Sequence, residues 1–187
     1  MRYPASETAE KHERILNEAA KLFRERGFAG VGVAEIMQAA GLTHGAFYAH
    51  FKSKDDLAAE ALVRAFSQSS DRAYAATANA MEAKQVFLER YLSAKHRDRP
   101  GAGCAIAALG AEIARNMAVR APFTEQVKRM IAGMATSFGR KHKASARQNA
   151  MHLLSAVVGA LILARAVDDP KLSDEILASV RERLVST

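Results

Sequence analysis

Apolar residues recur every three or four positions along most of this chain, the spacing that lays them on one face of a helix. Ile15, Leu16, Ala19, Leu22 and Phe23 predict a first helix from about residue 7 to residue 26. Ser6 or Thr8 is placed to cap it, and Gly27 to end it in the left-handed region. A second helix follows from about 33 to 40, with Gly32 as N-cap and Glu35 placed to reach back to the Gly32 amide. Val31 and Ile36 stand as a hydrophobic staple across its start. Gly41 suits a tight turn into a third helix, about 44–51, capped by Thr43 and stapled by Leu42 and Phe47. A fourth begins after Ser53, with Asp56 completing a capping box. Its apolar face is Leu57, Ala58, Ala61, Leu62, Ala65 and Phe66, and the pattern runs on toward Ala80.

Beyond residue 80 the same periodicity predicts helices over about 83–94, 104–118, 122–141, 144–167 and 172–185. Pro122 is expected in a first turn. The segment HRDRPGAG, residues 96–103, reads as a loop from its proline and glycines. The fold class is all-α. A helix-turn-helix module over 1–53 precedes a larger helical body over 54–187.

Composition narrows the functional classes. Of the 187 residues, 49% are hydrophobic and 6% aromatic, with no tryptophan. Alanine-rich sequence with few β-branched runs agrees with helices. The net charge of +7 suits a polyanionic partner. A single cysteine, Cys104, leaves no intramolecular disulfide and fits a reducing cytoplasm. No apolar targeting segment opens the chain, and the run from Leu153 to Ala164 is shorter than the roughly 20 residues a membrane span needs. The six histidines show no metal-ligand spacing, no glycine-rich phosphate loop occurs, and Ser, Cys and His are too scattered for a triad. No enzyme activity, metal or cofactor is expected.

The chemistry concentrates in VGVAEIMQAAGLTHGAFYAHFKSKDDL, residues 31–57. Two stapled helices across one glycine make a helix-turn-helix, whose second helix lies in the DNA major groove. If Leu42, Phe47 and Phe51 face inward, then Thr43, His44, Gly45, Ala46, Tyr48 and His50 face outward. Tyr48 and His50 can donate to phosphate oxygens, and Lys54 adds a cation beside free helix amides. Base reading falls to Thr43, His44, Gly45 and Ala46. Their chemistry offers an imidazole and small apolar groups for thymine methyls, with no Arg, Asn or Gln. Dimerisation and DNA shape are expected to add specificity. The alternative is a small aromatic helix in an ordinary bundle.

The segments ILNEAAKLFRERGF (15–28), VAEIMQAAGLTHGAFYAHF (33–51) and KSKDDL (52–57) resemble the DNA-binding domain of TetR-family transcriptional regulators. The resemblance implies an all-helical homodimer whose body binds a small-molecule effector and which leaves its palindromic operator when the effector binds. Carried over position by position, it implies DNA contacts at Thr43, His44, Gly45, Ala46, Tyr48, His50 and Lys54. Two positions depart from the family pattern. Gly32 stands where a hydroxyl is usual, and Ala46 where Ser or Thr is frequent.

In the body, Leu153, Leu154, Val157, Val158, Leu161 and Ile162 form one strongly apolar face. Leu172, Ile176, Leu177, Val180 and Leu184 form another. They fill either the monomer core or a four-helix interface between two copies; the resemblance implies the interface. Phe87, Tyr91, Cys104, Met130, Met134, Phe138 and His152, with Met117 and Met151, are candidates to line an effector pocket, or ordinary core. His152 stands out as a polar group on an apolar helix that needs a partner if buried. Cys104, opening a helix, is either a small buried residue or a redox-responsive thiol. Positive charge is not focused on the reading head: residues 1–54 hold eight Lys or Arg against six acids. The run RKHKASAR, residues 140–147, reads as a solvated loop, with an anionic ligand or a DNA contact as the alternative.

Overall fold

A computed structural model describes residues 5–73, 79–138 and 143–186. All regular structure among them is helical: α1 Ala5–Arg26, α2 Val33–Ala39, α3 Lys54–Ala73, α4 Ala80–Tyr91, α5 Ala94–Arg97, α6 Ala105–Ile113, α7 Met117–Phe138, α8 Lys143–Ala166 and α9 Pro170–Val185. Two 3-10 helices, His44–Ala49 and Pro100–Ala102, complete the path. The expected continuation of α3 toward Ala80 and the first three residues of the basic run at 140–147 fall at 74–78 and 139–142, outside the described residues, while the rest of that run opens α8.

Two hydrophobic clusters organise the chain. The first joins α1, α2, the 3-10 helix at 44–49 and the first half of α3 through Phe23, Ile36, Phe47, Phe51, Leu57 and Leu62, and it extends into α6 through Leu109 and Ile113. The second joins α4, α7, α8 and α9 through Phe87, Leu88, Met134, Leu154, Val157 and Leu177. Every residue of the predicted α3 face is buried. Its capping box forms, with Ser53 Oγ accepting from the Asp56 amide at 3.1 Å.

Several boundaries differ from the sequence reading. Helix α1 already includes Ala5, so Ser6 and Thr8 lie within it rather than before it. Gly32 does cap α2, but the Glu35 carboxylate pairs with Arg26 instead of turning back to the backbone. Helix α4 begins three residues early because the Asn79 side chain accepts from the Glu82 amide at 2.9 Å. The presumed loop at 96–103 holds the end of α5 and a 3-10 turn. Helix α6 stops at Ile113, and α7 starts at Met117, where the Asn116 side chain caps the Ala118 amide. Pro122 therefore sits inside α7, not in its first turn. There it removes a hydrogen bond to the carbonyl four residues back.

The apolar faces of α8 and α9 largely fill the monomer core. Leu153, Leu154, Val157, Leu161 and Leu177 are buried, while Val158, Ile176, Val180 and Leu184 pack on them; Ile162 and Leu172 stay exposed. By length and composition Ser145–Ala166 reaches what a membrane span requires, further than the run from Leu153 to Ala164 suggests. In this fold α8 lies against α7 and α9.

Side chains, rather than a helical ladder, hold the connection from α4 to α6. His96 Nδ1–H donates to the Tyr91 carbonyl at 2.7 Å, and its Nε2 accepts from the Cys104 amide at 3.0 Å. These two bonds fix the neutral tautomer. Arg165 donates to the carbonyls of His96 and Arg97, and Arg24 Nε donates to the Gly101 carbonyl at 2.9 Å. At the other end of α6, Glu112 accepts from the Phe28 amide at 2.8 Å. Its carboxylate fills the space a Cβ would occupy at Gly27, whose φ is +76°.

Two outcomes follow. Gly27→Ala should lower stability to urea by more than the about 1–2 kcal/mol of left-handed strain, because it also displaces Glu112. Gly41→Ala, at φ +69° with open space around it, should lose only the strain. Burial, the largest cause, pushes His96 below its ordinary 6.5, against a smaller opposite effect of the Tyr91 carbonyl. The unfolded chain then takes up the proton more readily, so stability is full above pH 6.5 and falls as pH drops toward the lower folded value. Urea midpoints should decrease between about pH 7.5 and about pH 5.5, and His96→Gln should flatten that slope.

Candidate functional site

Only six residues, His44–Ala49, form the helix that the sequence places in the groove, and they adopt the 3-10 form. Glycine and aromatic residues are poor helix formers, and a stretch this short has little stability of its own. Its shape comes from behind. Phe47 and Phe51 are buried in the first cluster with ring centroids 5.7 Å apart, and Leu42 packs against them. Gly41 turns the chain at positive φ, and the Leu42 amide returns to the Met37 carbonyl at 2.8 Å.

The opposite side is open. Thr43, His44 and Gly45 are exposed, and Tyr48 is 71% exposed. The His44 and Tyr48 rings meet edge to face at 6.3 Å. A Cβ at Gly45 would meet nothing within 4 Å, and its φ is not positive. Neither packing nor backbone conformation within this chain calls for glycine there. Ala46, expected outward, is half-buried and packs on the first cluster. Lys54 opens α3 and is half-buried, beside amides at the helix N-terminus.

His50 is half-buried at the end of this helix. Its ring lies 5.8 Å from that of His12, which stacks on Phe51 at 4.7 Å and bonds Glu60 at 3.0 Å. Burial first, then the neighbouring His12 and Lys11, lower the His50 pKa. The imidazole is therefore neutral at pH 7 in the free protein and keeps one N–H to donate. The contribution of α1 to this surface, through His12, has no signature in the helix-turn-helix pattern.

The predicted pocket residues separate into two cavities. Phe87, Tyr91, Cys104 and Met130 line one of about 430 Å³ between α4, α5, the 3-10 turn and α7. Met134, Phe138 and His152 line another of about 460 Å³ between α4, α7, α8 and α9. His152 is exposed, so it has no burial to compensate. Met117 is 75% exposed and takes a contact from Arg120, and Met151 is exposed. Cys104 is the buried N-cap of α6, with no side-chain cap bond.

The sequence reading missed the cations of the first cavity, Arg90, Lys95 and Arg99, and its Ser93 and His96. Their signal was the basic character of the segment around HRDRPGAG. Tyr91 is buried at the wall, and its hydroxyl has no hydrogen-bond partner. Burial, followed by the adjacent Cys104, raises its pKa well above the ordinary 10, so it remains an O–H donor. Leaving such a donor unsatisfied costs about 1–3 kcal/mol.

Comparison with known proteins agrees with this geometry. Residues 15–61 match the family model described as bacterial regulatory proteins, tetR family. The chain is 44% identical over 54 residues to the HTH-type transcriptional regulator AcrR of Shigella flexneri, covering 29% of this chain and 25% of that protein. It is 42% identical over 62 residues to the HTH-type transcriptional repressor KstR2 of Rhodococcus jostii, covering 32% and 30%. The chain thus matches under a third of the length of these curated relatives. Over the whole fold it is similar to a TetR-family transcriptional regulator from Cytophaga hutchinsonii, with a TM-score of 0.81 at 20% identity, covering 98% and 97% of the two chains. Residues 15–61 are thus similar in sequence to the tetR family of bacterial regulatory proteins, and the whole chain is similar in fold to a solved TetR-family structure.

Proposed function

We propose that the protein is a cytoplasmic, dimeric, sequence-specific DNA-binding regulator, a repressor that leaves a palindromic operator when a small molecule occupies its body. The observation that carries this reading is the 3-10 helix at 44–49. Its apolar side is buried, while Thr43, His44, Gly45 and Tyr48 stand in solvent with Lys54 alongside. These residues match what a groove-reading helix needs: small groups and one imidazole for base edges, hydroxyl and ammonium donors for phosphate. Gly45, for which the chain has no internal need, lets the nucleic acid come close.

Dimerisation is supported by the outer side of α8. Met151, His152, Ser155, Ile162, Leu163 and Ala166 are exposed at helical spacing, and Leu172 of α9 lies exposed too. This stripe shares Ile162 and Leu172 with the faces read from sequence and otherwise lies on the side of α8 away from its buried residues. Two copies joined along it would present two reading heads, matching a two-fold operator.

Release by a ligand is supported by the polar seam between head and body. Arg24 of α1 holds the Gly101 carbonyl in the turn that borders the first cavity, and Glu112 of α6 holds the amide of Phe28 just after α1. A ligand that moves this turn or α6 acts on α1 through hydrogen bonds of fixed length. The differential affinity of the ligand for two positions of the seam sets how far DNA binding shifts.

Gel-shift titration on palindromic promoter fragments tests the contacts. Lys54→Ala should weaken binding to all sequences and reduce the salt slope by about one. Tyr48→Phe should weaken it by about three- to tenfold, the worth of one hydrogen bond. If both variants bind as the parent does, the contact assignment fails. Sedimentation of Ile162→Glu with Leu163→Glu should show monomer where the parent is dimer; an unchanged dimer would exclude the outer face of α8.

A further inference from the structure

We propose that the cavity between α4, α5, the 3-10 turn and α7 takes an amphipathic organic anion: an apolar body, an acidic head at the mouth, and an oxygen acceptor turned toward Tyr91. This rests on reading the body as the effector-binding part and names the chemical class of the effector.

Charge gives the first argument. Arg90, Lys95 and Arg99 line the cavity from exposed positions, and no Asp or Glu is among its described lining residues. Of the acids near it, Asp98 and Asp174 both pair with Arg97, which lines a different cavity, and Glu25 lies against Gly101 rather than among the lining residues. The two other basic groups close by are committed to structure. His96 is neutral, with both ring nitrogens bonded to backbone, and Arg165 holds two carbonyls. A cationic ligand would meet like charge and no carboxylate on the described wall; an acid meets cationic donors, Lys95 and Arg99 among them.

The wall gives the second. Phe87, Ala102 and Met130 provide apolar surface, and thioether and aromatic groups adapt to varied shapes. Tyr91 adds a buried hydroxyl with no oxygen or nitrogen acceptor among the described residues and only the Cys104 sulfur beside it. The Cys104 thiol beside it is a weak acceptor at best. Burial keeps this phenol protonated, so what it lacks is an oxygen or nitrogen lone pair, which a ligand supplies. Buried polar groups in folded proteins are paired, and this one is paired when the cavity is filled. About 430 Å³ is within the range of small-molecule sites.

Calorimetric titration of the whole chain separates the parts. The probes are decanoate, decylamine, decanol and 10-hydroxydecanoate, four chains of one length that differ in head charge and in a terminal oxygen. Decanoate should bind at least about tenfold tighter than decylamine, and Arg90→Gln with Arg99→Gln should erase that difference while leaving decanol unchanged. 10-Hydroxydecanoate should bind tighter than decanoate, and Tyr91→Phe should remove the gain without altering decanoate. Decylamine binding as well as decanoate, or decanoate indifferent to the arginine substitutions, overturns the anionic class. A terminal hydroxyl without effect in the parent overturns the role of Tyr91. The four probes decide the class on the parent protein alone, so a misfolded variant does not shield the proposal. Operator displacement is measured in parallel. Displacement by decylamine but not decanoate keeps ligand release and ends the anionic class. Charge-dependent decanoate binding that leaves DNA bound keeps the class and ends ligand release through this cavity.

Discussion

A six-residue helix cannot stand alone, and the whole DNA-facing surface depends on the aromatic packing that holds one in place. Phe47 and Phe51 are both almost fully buried, stacked on each other and seated among residues of α1, α2 and α3. Fully burying a phenylalanine contributes about 1.5–3 kcal/mol, so two of them outweigh what a short 3-10 segment with a glycine loses in helix propensity. The tight coil has a geometric effect as well. It places Thr43, His44, Gly45 and Tyr48 on one compact open surface, with Lys54 arriving from the next helix. Rigidity is obtained from packing rather than from length.

The same first cluster does not end with the head. Leu109 and Ile113 of α6 belong to it, so α6 is packed against the N-terminal helices while its N-cap, Cys104, borders the first cavity. Hydrogen bonds reinforce this sharing at both ends of the helix, through Gly101 and Glu112. Helix α6 is short and belongs to the core of one part and the cavity wall of another. A displacement there is felt in both.

Much of this was legible in the sequence because it rests on local chemistry. Periodicity gave α1, α2 and α3 nearly to the residue, and glycines 27 and 41 marked turns that need positive φ. The inward set Phe47 and Phe51 followed from spacing alone. What was not legible came from distant contacts. Glu35 as a capping residue was a sound local expectation, but Arg26 competes for it across a turn. The apolar faces of α8 and α9 cannot reveal from sequence whether they meet each other or a second copy; in the structure the strongest faces meet within one chain. The cavity cations come from a segment whose Pro and Gly content spoke for a loop. Its order derives from His96, Arg165 and Arg24, which are respectively a few, about seventy and about eighty residues from the groups they hold.

The stitched connection between α4 and α6 has an evolutionary consequence. Its backbone carbonyls at Tyr91, His96, Arg97 and Gly101 are gripped by His96, Arg165 and Arg24, whereas Phe87, Arg90, Lys95, Arg99 and Met130 line the cavity and take no part in those grips. Scaffold and recognition are thus carried by different side chains. If the cavity takes an effector as proposed, drift at the second group would retune which one binds while the first preserves the connection to α1, so paralogues with new chemical tastes would arise by a few exchanges without refounding the architecture.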